Sequence, residues 1–126
     1  MQLQLKGSLP FTSVSIEYND KLLNVDDVLI DTGSASTIFS IDSLSALSIH
    51  PEPEDNLFII RGVGGSEIVF SRIINKITLG DHHLDQFEIE VGGMDYGFEI
   101  NGILGMDFLT KIATIINLEN LSISFG

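Results

Sequence analysis

Asp31 follows the apolar run Val28-Leu29-Ile30 and opens the tetrapeptide Asp31-Thr32-Gly33-Ser34, so a carboxylate leaves a buried strand directly onto a tight turn. A carboxylate there is desolvated unless neighbours satisfy it or a reaction uses it. Thr32, Gly33 and Ser34 bring hydroxyl and backbone N–H donors within its reach. The chemistry open to such a group is general acid–base work. Two glycine-bearing segments lie downstream. Arg61-Gly62-Val63-Gly64-Gly65-Ser66 sits between the apolar stretches 57–60 and 68–70 and reads as a hairpin tip, its glycines permitting positive φ and close backbone approach. Ile103-Leu104-Gly105 reads as a core strand ending at a glycine. Singly, each segment has an ordinary reading: an Asx turn, a phosphate-cradling loop, a core strand. The phosphate reading is weakened because no Gly-Lys-Ser/Thr follows and a strand, not a helix, comes next.

In this order and spacing, the three segments together resemble the retropepsin-like, single-domain aspartic proteases, over residues 28–109 or about two-thirds of the chain. The resemblance implies an all-β, closed barrel-like fold with one or two short helices and a β-hairpin flap. It implies a catalytic turn made of Asp31, Thr32, Gly33 and Ser34. It makes Arg61, Gly62, Val63, Gly64 and Gly65 the flap that closes over an extended peptide, with Ile103 and Leu104 bracing the turn and walling the substrate site. Ile38 and Ile60 are further candidates for that wall, and hydrophobic side chains are expected on either side of the cut bond. The segment Gly105-Met106-Asp107-Phe108-Leu109 is more similar to bacterial or cellular members than to viral ones. Viral members commonly pair an aspartate two residues after the turn glycine with an arginine just after the Ile/Leu-Gly motif; here those positions are Ala35 and Met106. Both charges are missing together, so neither is left buried and unpaired.

One carboxylate cannot perform the reaction. Peptide hydrolysis by this chemistry needs two carboxyl groups sharing a proton, one activating water and the other donating to the scissile carbonyl. With no second Asp-Thr-Gly or Asp-Ser-Gly in 126 residues, the expectation is a homodimer that sets Asp31 from each copy at a twofold axis. Residues 2–5 and 122–125 are the strands expected to interleave there. By resemblance Thr32 hydrogen-bonds across the axis, and a Ser34 hydroxyl donating to the outer carboxylate oxygen favours an acidic optimum. The alternative is a catalytically inactive dimerisation or peptide-binding module on the same fold.

Composition bounds the remaining choices. The chain reads as one domain over residues 1–126, with 44% hydrophobic residues and no linker or repeat. A formal charge of −12 disfavours nucleic acid and anionic membrane surfaces and leaves a polypeptide as the expected partner. The absence of cysteine removes disulfide and thiolate chemistry, and no cofactor or metal is implied. His82-His83 and the pair Asp26-Asp27 read as solvated turn and strand residues, and His50 as exposed in an acidic, proline-rich loop. The sequence shows neither a signal peptide nor a membrane-length apolar run, which favours a cytoplasmic location without fixing it.

The elements that must position these residues are mainly strands. Val14, Ile16 and Tyr18 alternate with polar neighbours, as do Phe87, Ile89 and Val91, and again Leu121, Ile123 and Phe125. The last set follows the turn Asn117-Leu118-Glu119-Asn120, predicting a C-terminal hairpin. Helix signals are short: Asp42 as a cap over residues 43–48, and Asp107 opening a turn near residues 108–111.

Overall fold

A computed structural model describes residues 1–62, 65–93 and 99–126, and the side chains of residues 60–67 lie outside that description. Its strands are β1 (Gln4–Lys6), β2 (Leu9–Tyr18), β3 (Lys21–Ile30), β4 (Ile38–Ser40), β5 (Leu57–Gly62), β6 (Gly65–Leu79), β7 (His82–Gly92), β8 (Gly102–Leu104), β9 (Thr114–Asn117) and β10 (Ser122–Phe125). A 3₁₀ helix spans Asp42–Leu47 and the α-helix α1 spans Met106–Lys111. The predicted all-β class with two short helices is what the chain adopts.

Local turn chemistry sets the long hairpins. Asn19 and Asp20, both at positive φ, make the two-residue link from β2 to β3, and Gly80 at φ 61° starts the link from β6 to β7. Eight strands join in the order β1-β2-β3-β8-β4-β7-β6-β5. β2 also pairs with β6, Ile16 facing Ile77, and this second pairing closes six strands into a ring. Ile16, Phe39, Ile74, Ile77, Ile89 and Leu104 from the strands, with Phe108 from α1, are fully buried in one core cluster.

β5 pairs with β6 alone, from Leu57 opposite Phe70 to Gly62 opposite Gly65. This is the hairpin predicted as the flap. Its tip residues Val63 and Gly64 lie outside the described residues, as do the side chains of Ile60, Arg61 and Glu67.

β9 and β10 form the expected C-terminal hairpin. The N-terminal residues pair with β10 of the same chain: Leu3 N–H donates to Leu121 O at 2.7 Å, and Ile123 N–H to Met1 O at 2.8 Å. Residues 1–3 thus share backbone hydrogen bonds with residues 121–123 of the same chain, while Gln4–Lys6 pair with β2 and Ser122–Phe125 with β9. Among the described residues no helix is long and apolar enough to cross a membrane.

Candidate active site

Asp31 owes its place to an out-of-order strand. β8 lies between β3 and β4, parallel to β3 (Leu29 opposite Ile103) and antiparallel to β4 (Ile38 opposite Ile103). The link from β3 to β4 must therefore pass over the C-terminal end of β8, and that link is Asp31-Thr32-Gly33-Ser34 and the three residues after it. Asp31 N–H donates to Leu104 O at 3.0 Å, one step beyond the β3–β8 ladder. The turn closes through Ser34 N–H to Asp31 O at 3.2 Å, and Gly33 N–H donates to Asp31 Oδ1 at 2.9 Å. Asp31 is half-buried, while Thr32 and Gly33 are exposed beside it.

Behind the turn the packing is backbone on backbone. Met106 N–H donates to Ser34 O at 2.8 Å, and Asp107 N–H to Ala35 O at 3.3 Å. A Cβ on Gly105 would lie 2.4 Å from Ser36 O and 2.9 Å from Ser34 O, so only glycine admits this approach. The bracing expected of Ile103-Leu104-Gly105 is present in this sense.

The two apolar members of that motif differ from expectation. Leu104 is fully buried in the main core, so its role is to hold Asp31 through its carbonyl, and its side chain has no face for a substrate. Ile103 instead joins a separate cluster with Phe11, Leu29 and Ile100, against which Ile38 is partly buried. The Ser34 hydroxyl is likewise already used: it donates to Ser36 O at 2.7 Å, which removes the basis for its expected donation to the carboxylate.

Two features that position the site escaped the sequence reading. Thr37 is fully buried; its Oγ1 donates to Asp107 Oδ1 at 2.8 Å and accepts from Gly105 N–H at 3.1 Å. Asp107 Oδ1 also accepts from Phe108 N–H at 2.8 Å, tying the start of α1 to the segment after the turn. Asp107, a helix opener by its place in the sequence, carries both contacts on its Oδ1. The second feature is a bulge in β3 with Asp27 at φ 58°, a left-handed conformation that aspartate tolerates. Asn101 N–H donates to Asp27 O at 3.0 Å and its side-chain amide to Asp26 O at 2.9 Å, fixing the start of β8 beside β3. Lys6 pairs with the Asp27 carboxylate.

Two cavities flank these elements. One of about 350 Å³ touches Asp31 and is lined by Pro10, Ile30, Asp31, Thr32, Ile116 and Leu118. The other, about 360 Å³, is polar and lies at the root of the β5–β6 hairpin around Arg72. There the Arg72 guanidinium donates to Asp55 Oδ2 at 2.6 Å, His50 O at 3.0 Å and Tyr18 OH at 3.2 Å, beneath the loop that leads into β5. Desolvation pushes the Asp55 carboxyl up, but the Arg72 hydrogen bond, the Glu52 N–H and the guanidinium charge outweigh it and hold the group below its usual range. Glu52 is pushed up, chiefly by its hydrogen bond with Glu54 and against the pull of Arg72.

Among the described residues no group of three or more His, Asp or Glu side chains is arranged to hold a metal. His82 stacks on Phe125 at 4.2 Å, and His83 lies 3.8 Å from Asp85.

A sequence model of the family described as aspartyl protease matches residues 14–108. The chain belongs to that family. Its enzyme class is aspartic-type endopeptidase, a hydrolase, and its fold is retropepsin-like. The EIAV protease, solved with the inhibitor HBY-793, is 26% identical, with a TM-score of 0.62 over 89% of this chain and 95% of that one. A retropepsin-like aspartic protease from Rickettsia conorii is 14% identical, with a TM-score of 0.67 over 97% of this chain and 95% of that one. The retroviral protease-like domain of Ddi1 from Leishmania major is 15% identical, with a TM-score of 0.63 over 95% of this chain and 90% of that one. At those identities the last two show the fold. The bacterial protein superposes over more of the chain, and the viral one shares more residues with it. No curated protein matches this sequence.

Proposed function

We propose that this aspartic protease works as a homodimer in which Asp31 of two copies forms one catalytic dyad and cuts polypeptides next to hydrophobic side chains. The observation that carries this reading is a single carboxylate on a rigid, backbone-braced turn, with its neighbours Thr32 and Gly33 exposed. A second identical turn across a twofold axis supplies the missing carboxyl group. The ionised member takes a proton from a water held between the two. The protonated member donates to the scissile carbonyl oxygen, and the tetrahedral intermediate then collapses with a proton passed to the leaving amine.

Thr32, standing exposed beside the carboxylate, is assigned the contact across the axis, and Gly33 the close approach of substrate backbone. Residues 1–126 then act as one catalytic half, with Arg61, Gly62, Val63, Gly64 and Gly65 as flap over an extended peptide. The preference for hydrophobic side chains rests on half-buried Ile38, at the margin of the buried cluster of Phe11, Leu29 and Ile103, which Leu29 and Ile103 join to the strands that carry the turn. Because the pair must share one proton, activity is lost as pH rises beyond the range in which that proton is held. Cleavage of an unbiased mixture of unfolded peptides from acid to neutral pH, beside the Asp31→Ala protein, tests the reading. Cutting by the parent alone, strongest in acid and adjacent to apolar residues, is expected. A folded, dimeric parent that cuts nothing leaves the non-catalytic peptide-binding module in its place.

A further inference from the structure

Arg72 and its partners fill only part of the cavity at the root of the β5–β6 hairpin, and the wall beside them is an open strand edge. β5 stays with β6 as far as Leu57 opposite Phe70, and β2 meets β6 again only at Lys76 opposite Glu17. Between those points residues 71–75 have β7 on one side and, among the described residues, no strand on the other. Ladder parity shows which groups this leaves open. Glu90 N–H donates to Thr37 O at 2.9 Å, so the Glu90 backbone is turned towards β4, and Glu88, two residues earlier on the same strand, is turned the same way. Facing residues of an antiparallel ladder exchange both bonds or neither. Ile73, opposite Glu88, therefore points its N–H and C=O away from β7 into the gap, and Ser71, opposite Glu90, points its C=O there too.

The other walls say what would pair there. Beside Ile73 and Arg72 the cavity is lined by Glu52, Glu54, Asp55 and Glu88. Four carboxyl groups thus face one guanidinium. Arg72 is spent on Asp55 at 2.6 Å and lies 3.8 Å from Glu52, while Glu54 and Glu88 have no ion pair among the described residues. At about 360 Å³ the space is near the lower end of the roughly 300–1,000 Å³ of ligand cavities, which suits a short span of extended chain. The surplus of negative charge suits lysine or arginine on that span. A second copy of this protein does not offer one. Its basic residues are Lys6, Lys21, Arg61, Arg72, Lys76 and Lys111, and the close pair among them, Arg72 and Lys76, belongs to β6 itself.

We infer that this gap is a docking site for a partner protein: an extended, lysine- or arginine-bearing segment pairs its backbone with Ile73 and sets its cations among Glu52, Glu54 and Glu88. This is strand addition to an open sheet edge, in which main-chain bonds hold the segment and the carboxylates select it. The site sits under the loop that enters the β5–β6 hairpin and shares no lining residue with the cavity at Asp31, so the segment is bound and not cut.

Fluorescence anisotropy at neutral pH, with a labelled hexapeptide of alternating lysine and threonine and its glutamate–threonine counterpart, tests this on the parent and three charge variants. Glu54→Lys and Glu88→Lys replace exposed side chains in the cavity wall, and thermal melts verify that both proteins stay folded. Asp81→Lys makes the same change at the exposed turn after β6, about 25 Å along the strand from Ile73. The lysine peptide is expected to bind, to be returned whole, and to outbind the glutamate peptide. Glu54→Lys and Glu88→Lys are each expected to weaken it roughly tenfold, and Asp81→Lys by less than about threefold. Amide hydrogen exchange read by NMR separates strand pairing from general attraction to an acidic protein. Bound peptide is expected to slow Ile73 N–H by about tenfold or more and to leave Arg72 N–H, already in the β7 ladder, little changed. Binding that all three variants weaken alike, or that leaves Ile73 exchange unaltered, overturns the inference. So does a parent that binds no lysine peptide at millimolar concentration, or one that cuts it.

Discussion

Gly105→Ala places one methyl group against the back of the Asp31 turn. Gly105 itself sits at φ −95° and ψ −177°, an extended conformation that alanine adopts freely, so the effect is steric and not conformational. The new Cβ would lie 2.4 Å from Ser36 O, 2.6 Å from Ser36 C and 2.9 Å from Ser34 O, all backbone atoms without rotamers to yield. Restoring ordinary contact distances requires the start of α1 and the turn to separate by about 1 Å. That movement strains the 2.8 Å bond from Met106 N–H to Ser34 O and the 3.1 Å bond from Gly105 N–H to Thr37 Oγ1. Overpacking of this kind costs about 1–3 kcal/mol, and at roughly 3–6 °C per kcal/mol the melting temperature falls by about 3–18 °C. A displacement near 1 Å at the reacting groups lowers kcat by about 10²-fold. Thermal melts and steady-state cleavage at the pH of highest activity read both numbers. A Gly105→Ala protein within about twofold of the parent in kcat/KM, with an unchanged melting temperature, would falsify the argument that backbone contact behind the turn sets its geometry.

Other perturbations address the supports around the turn. Thr37→Val keeps the shape but leaves Gly105 N–H without its acceptor and removes one of the two donors to Asp107 Oδ1; a loss of about 1–3 kcal/mol in urea unfolding is expected, with Thr37→Ser recovering most of it. Arg72→Met strips the nearly buried Asp55 of its cation and frees the loop before β5, so a melting temperature lower by about 5 °C or more and a raised KM are expected. Protonation tests the same cluster. Asp55 is held below its ordinary value of 3.8, so its stabilisation is present above that pH and disappears as pH falls through the lower, folded value. Glu52 is raised above 4.5, so acidification from its raised value towards 4.5 adds stability as it takes up its proton. Melts against pH should thus rise slightly on approach to pH 4.5 and drop below 3.8, and Asp55→Asn should flatten the drop; an unaltered drop in that variant would remove Asp55 as its source.

What the sequence made legible is what is local. The carboxylate turn is four consecutive residues, the hairpins announce themselves through alternation and through turns such as Asn19-Asp20, and the glycine at 105 marks a close approach. Contacts across long separations were silent. Thr37 and Asp107 meet 70 positions apart, and neither has a neighbour that signals the other. The ring closes through Ile16 and Ile77, yet each reads only as one more buried position on a strand. Arg72 looks like an exposed cation on β6, and burial follows only when residues 50–55 fold back over it. The helices show the limit of capping rules: Ser40, not Asp42, takes the Ser43 N–H at 3.1 Å, and the Asp107 side chain reaches back to Thr37. Alternation alone does not tell the core face from the cleft face of a three-residue strand, so the full burial of Leu104 is visible only in the fold.

The central claim is that one site is built from Asp31 of two copies, and co-refolding the parent with Asp31→Ala at varied ratios tests it most directly. If each site needs both carboxylates, cleavage follows the square of the parent fraction: an equal mixture holds about a quarter parent–parent pairs and gives about half the activity per parent chain. Activity that stays proportional to the amount of parent chain, undiminished by the inactive partner, would mean that each chain carries a complete site and would contradict the account.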